Sequence, residues 1–257
     1  MGTEKRQRQK QGRQSRLAEQ ATMMKRDQRR RRLVAAVVVS LVVFGGLLLI
    51  SQVGNEGGGE ADQAAGDPTA LYGTGECPPA DKPAEPVLEF ESAPQRCIEE
   101  GVDYAAVVTT SEGAFTIDLL EDTAPGTVNN FVVLARYGYY DGDDFHRIIP
   151  GFVVQGGDPV GDPAGTGDPG YEIGDEVPAS VEAYTEGSVA MANSGPNTNG
   201  SQFFVYVGPN PLPGPLYSLF GQVTEGLDVV KAIEALGSAG GDPQQPVSIE
   251  SVEVLER

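Results

Sequence analysis

The 257-residue chain contains no tryptophan, one histidine and two cysteines. A single imidazole and two thiols are too few for a multi-histidine or four-cysteine metal centre, and no further ligand cluster accompanies them. Basic residues are nearly missing from most of the chain. Residues 1–32 hold 12 of the 18 Lys and Arg against three acids, a net of +9; the rest has 6 bases and 34 acids, a net of −28. Such an acidic remainder disfavours nucleic acid or an anionic lipid surface as its partner and otherwise bears on solubility.

One long uncharged run is present: LVAAVVVSLVVFGGLLLI, Leu33 to Ile50. Extended to Val53 it makes about 21 residues, or roughly 32 Å of helix, enough to cross a bilayer core. A core helix would show a polar stripe, and a signal peptide would have a shorter basic leader. The run is therefore expected to be an uncleaved transmembrane helix over 33–53. Arg29 to Arg32 abut it, which puts the basic tail, 1–32, in the cytoplasm. Topology and lipid headgroups account for that charge, so no nucleic-acid partner is expected. The expected location is the plasma membrane, single-pass, with the acidic part extracytoplasmic. The absence of a eukaryotic targeting signal suggests a bacterial cell.

Residues 54–100 are rich in Gly, Pro, Ala and acids, starting GNEGGGEADQAAGDP, and read as a flexible linker whose second half could be pinned against the domain C-terminal to it. Cys77 and Cys97 lie here with 19 residues between them. Outside the cytoplasm such a pair reads as a disulfide, with free thiols as the remaining alternative.

From about residue 101 to 257 the pattern becomes that of a folded domain. AAVVTT and GAFTIDLL flank Ser111-Glu112-Gly113, a β-hairpin signature. In DTAPGTVNNFVVLARYGYY, Thr123 can cap a helix, Pro125 suits its first turn, and Val128, Phe131, Val132 and Ala135 recur at helical spacing. Short apolar runs come next: FHRII, FVVQ, SVAMAN, QFFVYV and SLFGQV. A second helix is expected over Leu227 to Leu236, and VSIESVEVLE closes the chain with strand alternation. Many short strands with two isolated helices predict a mostly β, antiparallel barrel.

Three apparent motifs fall away on context. Gly165 to Gly170, GTGDPG, fits a dinucleotide fingerprint but contains Pro169 where a helix should open. Asn199-Gly200-Ser201 is formally a glycosylation sequon, though an Asn-Gly turn explains it better. A Ser–His–Asp triad would have to use His146, whose basicity the adjacent Arg147 would depress.

Two stretches remain. Phe145, His146, Arg147, Ile149, Phe152, Gln155, Gly156, Gly157 and Asp158 follow F-H-R-x-I-x-x-F-x-x-Q-G-G-D, and Met191 through Phe204 follow M-A-N-x-G-x-N-T-N-G-S-Q-F-F. Together they closely resemble the cyclophilin family of peptidyl-prolyl cis–trans isomerases, over about residues 103–256. The resemblance implies a closed eight-stranded antiparallel β-barrel capped by two α-helices. It also implies rotation about X–Pro bonds, with no cofactor, in proline-containing unfolded or flexible polypeptides. A monomer is expected.

Residue by residue, the resemblance makes Arg147 the catalytic donor and Gln155 the group that orients it. Phe152, Val153 and Phe204 would line a proline pocket with Met191 close behind, and Ala192 and Asn193 would hold the peptide backbone. At the groove edge, where many cyclophilins have tryptophan, this chain has Leu212 followed by Pro213. Tyr217 stands where a histidine is common. Those substitutions put tight binding of cyclosporin-type macrocycles in doubt. His146, one position before Arg147 on a strand, points to the other face and reads as structural. A catalytically weak peptide-binding or chaperone module is the alternative function.

Overall fold

A computed structural model describes residues 69–257. The basic tail, the expected membrane span and the first part of the expected linker lie outside the described residues. Among the described residues, no helix is long and apolar enough to cross a membrane.

Eight strands make one antiparallel sheet. In chain order they are β1 (Tyr104–Thr110), β2 (Gly113–Leu119), β3 (Arg147–Ile149), β4 (Val153–Gly156), β5 (Ser188–Met191), β6 (Phe203–Tyr206), β7 (Leu219–Glu225) and β8 (Ile249–Glu256). Their spatial order is β3-β4-β6-β5-β7-β2-β1-β8. The end strands β3 and β8 share no ladder, so the strand-to-strand closure expected from the resemblance is not present. The seam is instead bridged by backbone bonds ahead of β3. Gly142 N and Phe145 N donate to Ile249 O and Val247 O, and Ile249 N donates to Asp143 O. The loop before β3, rather than β3 itself, does the sealing.

Two helices, α1 (Pro125–Arg136) and α2 (Leu227–Ala235), accompany the sheet. Every residue of α1 from Gly126 to Ala135 is buried. Phe115, Phe131, Tyr140, Phe203 and Phe220 belong to the large core, where Phe131 meets Phe220 at 5.1 Å between ring centres.

Thr123 does not cap α1; its hydroxyl turns back to Leu120 O. The N-cap position is Ala124, which has no side-chain acceptor to offer. The free amides are met from far away in sequence. The Glu176 carboxylate accepts from Gly126 N at 3.2 Å and from Thr127 N and Oγ1 at 2.7 Å each. A carboxylate at a helix N-terminus satisfies orphan donors and opposes the helix dipole.

Residues 69–100 contain neither helix nor regular strand, yet they are laid against the barrel. Val87 N and Phe90 N donate to Tyr137 O and Pro169 O at 3.1 and 2.9 Å. Asn129 Oδ1, on α1, accepts from Cys97 N and Ile98 N. Cys77 and Cys97 are joined as a disulfide. Leu71 lies so close to α1 that a Cβ added at Gly126 would be 2.6 Å from the leucine Cβ. Lys82 reaches the open edge of β8 and, with Asp141, occupies both backbone groups of Val252: Lys82 Nζ donates to Val252 O at 3.0 Å and Asp141 Oδ1 accepts from Val252 N at 3.1 Å. An ion pair in that place blunts an edge that could otherwise pair with another chain.

Candidate active site

β3 and β4 form a hairpin whose register sets Arg147 directly opposite Gln155 and Ile149 opposite Val153. Opposed residues share one face of the sheet. Arg147 Nη1 donates to Gln155 Oε1 at 2.9 Å, and the guanidinium carbon lies 5.8 Å from the centre of the Phe152 ring. Burial pulls the Arg147 pKa below its ordinary value, opposed by Tyr217. The starting value of an arginine is so high that the group stays a cation.

Beside this pair is a second apolar cluster, separate from the barrel core. Val153, Tyr184, Ala190, Phe204 and Leu212 are buried in it, with Phe152, Ala192 and Tyr217 packed around them. The Phe204 and Tyr217 rings meet edge to face at 5.2 Å. Tyr184 holds that edge: its Oη donates to Tyr217 O at 2.6 Å and accepts from Tyr217 N at 3.2 Å.

Of the residues singled out in the sequence, Phe152, Val153, Phe204, Leu212, Ala192 and Tyr217 therefore come together, with Arg147 and Gln155 alongside. Asn193 donates its amide to Leu216 O at 2.9 Å, tying the loop that follows β5 to the edge loop. Met191 does not join them. It is fully buried in the barrel core, because alternation along β5 turns Ala190 and Ala192 to one face and Met191 to the other. Pro213 is exposed and stands outside the cluster.

Tyr184 and Ala190 were not picked out from the sequence. Ala190 carries a signal, since it sits two residues before Ala192 on the same face. Tyr184 has none, lying in an irregular segment. Gln202 was also passed over although it stands inside the second motif. Its Oε1 accepts from Gln155 Nε2 at 3.1 Å. A cavity of about 220 Å³ is walled by Gln155, Gly165, Thr166, Ala192, Asn193 and Gln202 among others.

The histidine takes no part in this arrangement. Among the described residues neither ring nitrogen of His146 has a hydrogen-bond partner, and both are buried. Burial holds its pKa down, Asp158 opposes this and Arg147 adds to it. An imidazole bonded to neither a serine nor a carboxylate is not part of a triad.

The family model for cyclophilin type peptidyl-prolyl cis-trans isomerase/CLD matches residues 105–254. The chain belongs to that family. A peptidyl-prolyl cis-trans isomerase-like 1 of Aspergillus oryzae is 43% identical over 149 residues, 57% of this chain and 92% of its own. Peptidyl-prolyl cis-trans isomerase B of Bacillus subtilis is 44% identical over 133 residues, 52% of this chain and 88% of its own. Among solved structures, a Cryptosporidium parvum cyclophilin type peptidyl-prolyl cis-trans isomerase has a TM-score of 0.55 at 28% identity, covering 60% of this chain and 99% of its own. The same protein has also been solved in the presence of the dipeptide Ala-Pro, with a TM-score of 0.54. The isomerase reaction needs no proton removed and no bond to carbon cut, and a fixed cation suits it.

Proposed function

We propose that this isomerase is held by residues 33–53 in a bacterial cytoplasmic membrane, and that its folded domain acts outside on X–Pro bonds of secreted or surface polypeptides. The tether rests on the uncharged run and the arginines before it. The disulfide between Cys77 and Cys97 supports the outside placement, since such bonds persist in oxidising compartments.

Turning an X–Pro bond breaks amide resonance against a barrier of about 18–20 kcal/mol. In the twisted state the nitrogen regains a lone pair and becomes an acceptor. Catalysis then consists of binding that state better than either planar one. Arg147 supplies the donor, Gln155 fixes its direction, and Phe152, Val153 and Phe204 form the apolar seat for the proline ring. Ala192 and Asn193 line the path of the peptide backbone. A preorganised cation in a water-poor place is worth far more than one in water. A gain of about 10⁵ in rate needs only about 7 kcal/mol of selective stabilisation.

The observation that carries this reading is the Arg147–Gln155 hydrogen bond set directly against the Phe152 ring and its apolar cluster. The test is isomerisation of a proline-containing peptide by the full-length chain, compared with Arg147→Ala. The expected result is a loss of roughly 100-fold or more in kcat/KM with the fold retained. A folded parent no faster than buffer would leave a tethered peptide-binding module as the better account. Protease treatment of intact cells tests the topology, and a folded domain shielded from protease would reject the outside placement.

A further inference from the structure

We infer that Gln202 is a positioning residue: it sets which way round the Gln155 amide stands and, through it, the aim of the Arg147 guanidinium. The inference rests on the reading of Arg147 as the donor to the twisted amide.

The oxygen and nitrogen ends of a glutamine amide are nearly the same shape, so packing cannot tell them apart. Only donors and acceptors can. Arg147 is donor-only and therefore needs Gln155 Oε1 facing it. If Gln155 turned over, its NH₂ would meet the Arg147 N–H donors and the guanidinium would lose its hold.

Gln202 opposes that turn. Its Oε1 accepts from Gln155 Nε2 at 3.1 Å, so the oxygen of Gln155 is left for Arg147. Gln202 needs the same protection, because a flip of its own amide would present a donor to Gln155. Its Nε2 donates to Gly167 O at 3.1 Å, and a backbone carbonyl can only accept. The series runs from carbonyl to amide to amide to guanidinium in one direction. Reversing either amide breaks two bonds at once.

The starting carbonyl is itself held. Gly167 N donates to Asp158 Oδ2 at 3.1 Å, and the same carboxylate accepts from Gly165 N at 2.5 Å and Gly161 N at 2.8 Å. Asp158 N in turn donates to Asp143 Oδ2 at 3.0 Å. A Cβ at Gly167 would collide with Asp158 Oδ1, so the loop closes around its carboxylate only with glycine there. Gln202 lies two residues before Phe204, which is paired with Gln155 across β4 and β6. Strand alternation therefore delivers it to the face on which Gln155 stands.

The test is a double-mutant cycle in the full-length chain, with Arg147→Ala run in the same series. Gln202→Met keeps the length of the side chain and removes both bonds. It is expected to lower kcat about tenfold while KM stays within about twofold. In a Gln155→Met background the same change should cost less than about twofold, because the group it positions is gone. Thermal unfolding checks that each variant is folded, and Gln202→Ser replaces methionine if that variant is not. Parent-like kcat, or an equal loss in the Gln155→Met background, would overturn the inference. If Arg147→Ala matches the parent, the functional reading fails instead, and the two failures are distinguishable.

Discussion

Arg147 and Gln155 are eight residues apart in the chain and face to face in the fold, joined at 2.9 Å across the β3–β4 ladder. The pairing supplies the guanidinium with a fixed direction, which a planar fork can keep and a single ammonium on a flexible stem cannot. Arg147→Lys preserves the charge and loses that geometry. Its kcat/KM should fall roughly 100-fold, close to the alanine variant, in a peptide isomerisation assay. A lysine variant within about threefold of the parent would mean that charge alone suffices.

Tyr184 is a second, more distant support. Its hydroxyl satisfies both backbone groups of Tyr217, whose ring packs edge to face on Phe204. Tyr184→Phe leaves a donor and an acceptor short of a partner, at about 1–2 kcal/mol. The edge loop should become less well held, so KM is expected to rise several-fold while kcat changes little. Steady-state kinetics over a range of peptide concentrations would show it.

Glu176 bears on stability rather than on the reaction. Gly126 N, Thr127 N and Thr127 Oγ1 all donate to its carboxylate at the start of α1. Glu176→Gln keeps one acceptor oxygen and loses the charge. Urea unfolding should show a loss of about 1–2 kcal/mol with kcat/KM nearly unchanged. No loss would mean that solvent serves the helix end equally well.

Asp143 makes the stability of the fold depend on pH. Burial is the main cause that pushes its carboxyl up to about 6, although Asp144, Gly157 and Asp158 amides pull the other way. A carboxyl with a folded pKa above its unfolded one binds more protons when folded. Its contribution to stability is present below the unfolded value and is lost as pH rises through the folded one. Over about pH 4 to 6 the parent should lose on the order of 1–3 kcal/mol from this group. Asp143→Asn should remove that component, so the difference in melting temperature between parent and variant should change across this window. A constant difference from pH 4 to 7 would contradict it.

Strand positions were largely legible in the sequence, and so were the two helices, because alternation, helical spacing and Gly or Pro breakers are local signals. The motif around Arg147 was legible too. Other features depended on pairings between distant segments. Thr123 satisfies every local rule for a cap and is not one, because Glu176 arrives from a loop about 50 residues on. Met191 lies inside a matched motif, yet its strand position turns it into the core.

The sequence by itself determined the family, the class of reaction and the placing of a fixed cation among apolar side chains, since these follow from residue identity and short-range order. Tertiary structure alone decided that Gln155 faces Arg147 with its oxygen, that Gln202 stands behind it, that Tyr184 braces Tyr217 and that the loop before β3, not β3 itself, is bonded to β8. The orientation of a side-chain amide depends on donors and acceptors brought from several segments at once. No stretch of sequence carries that information by itself.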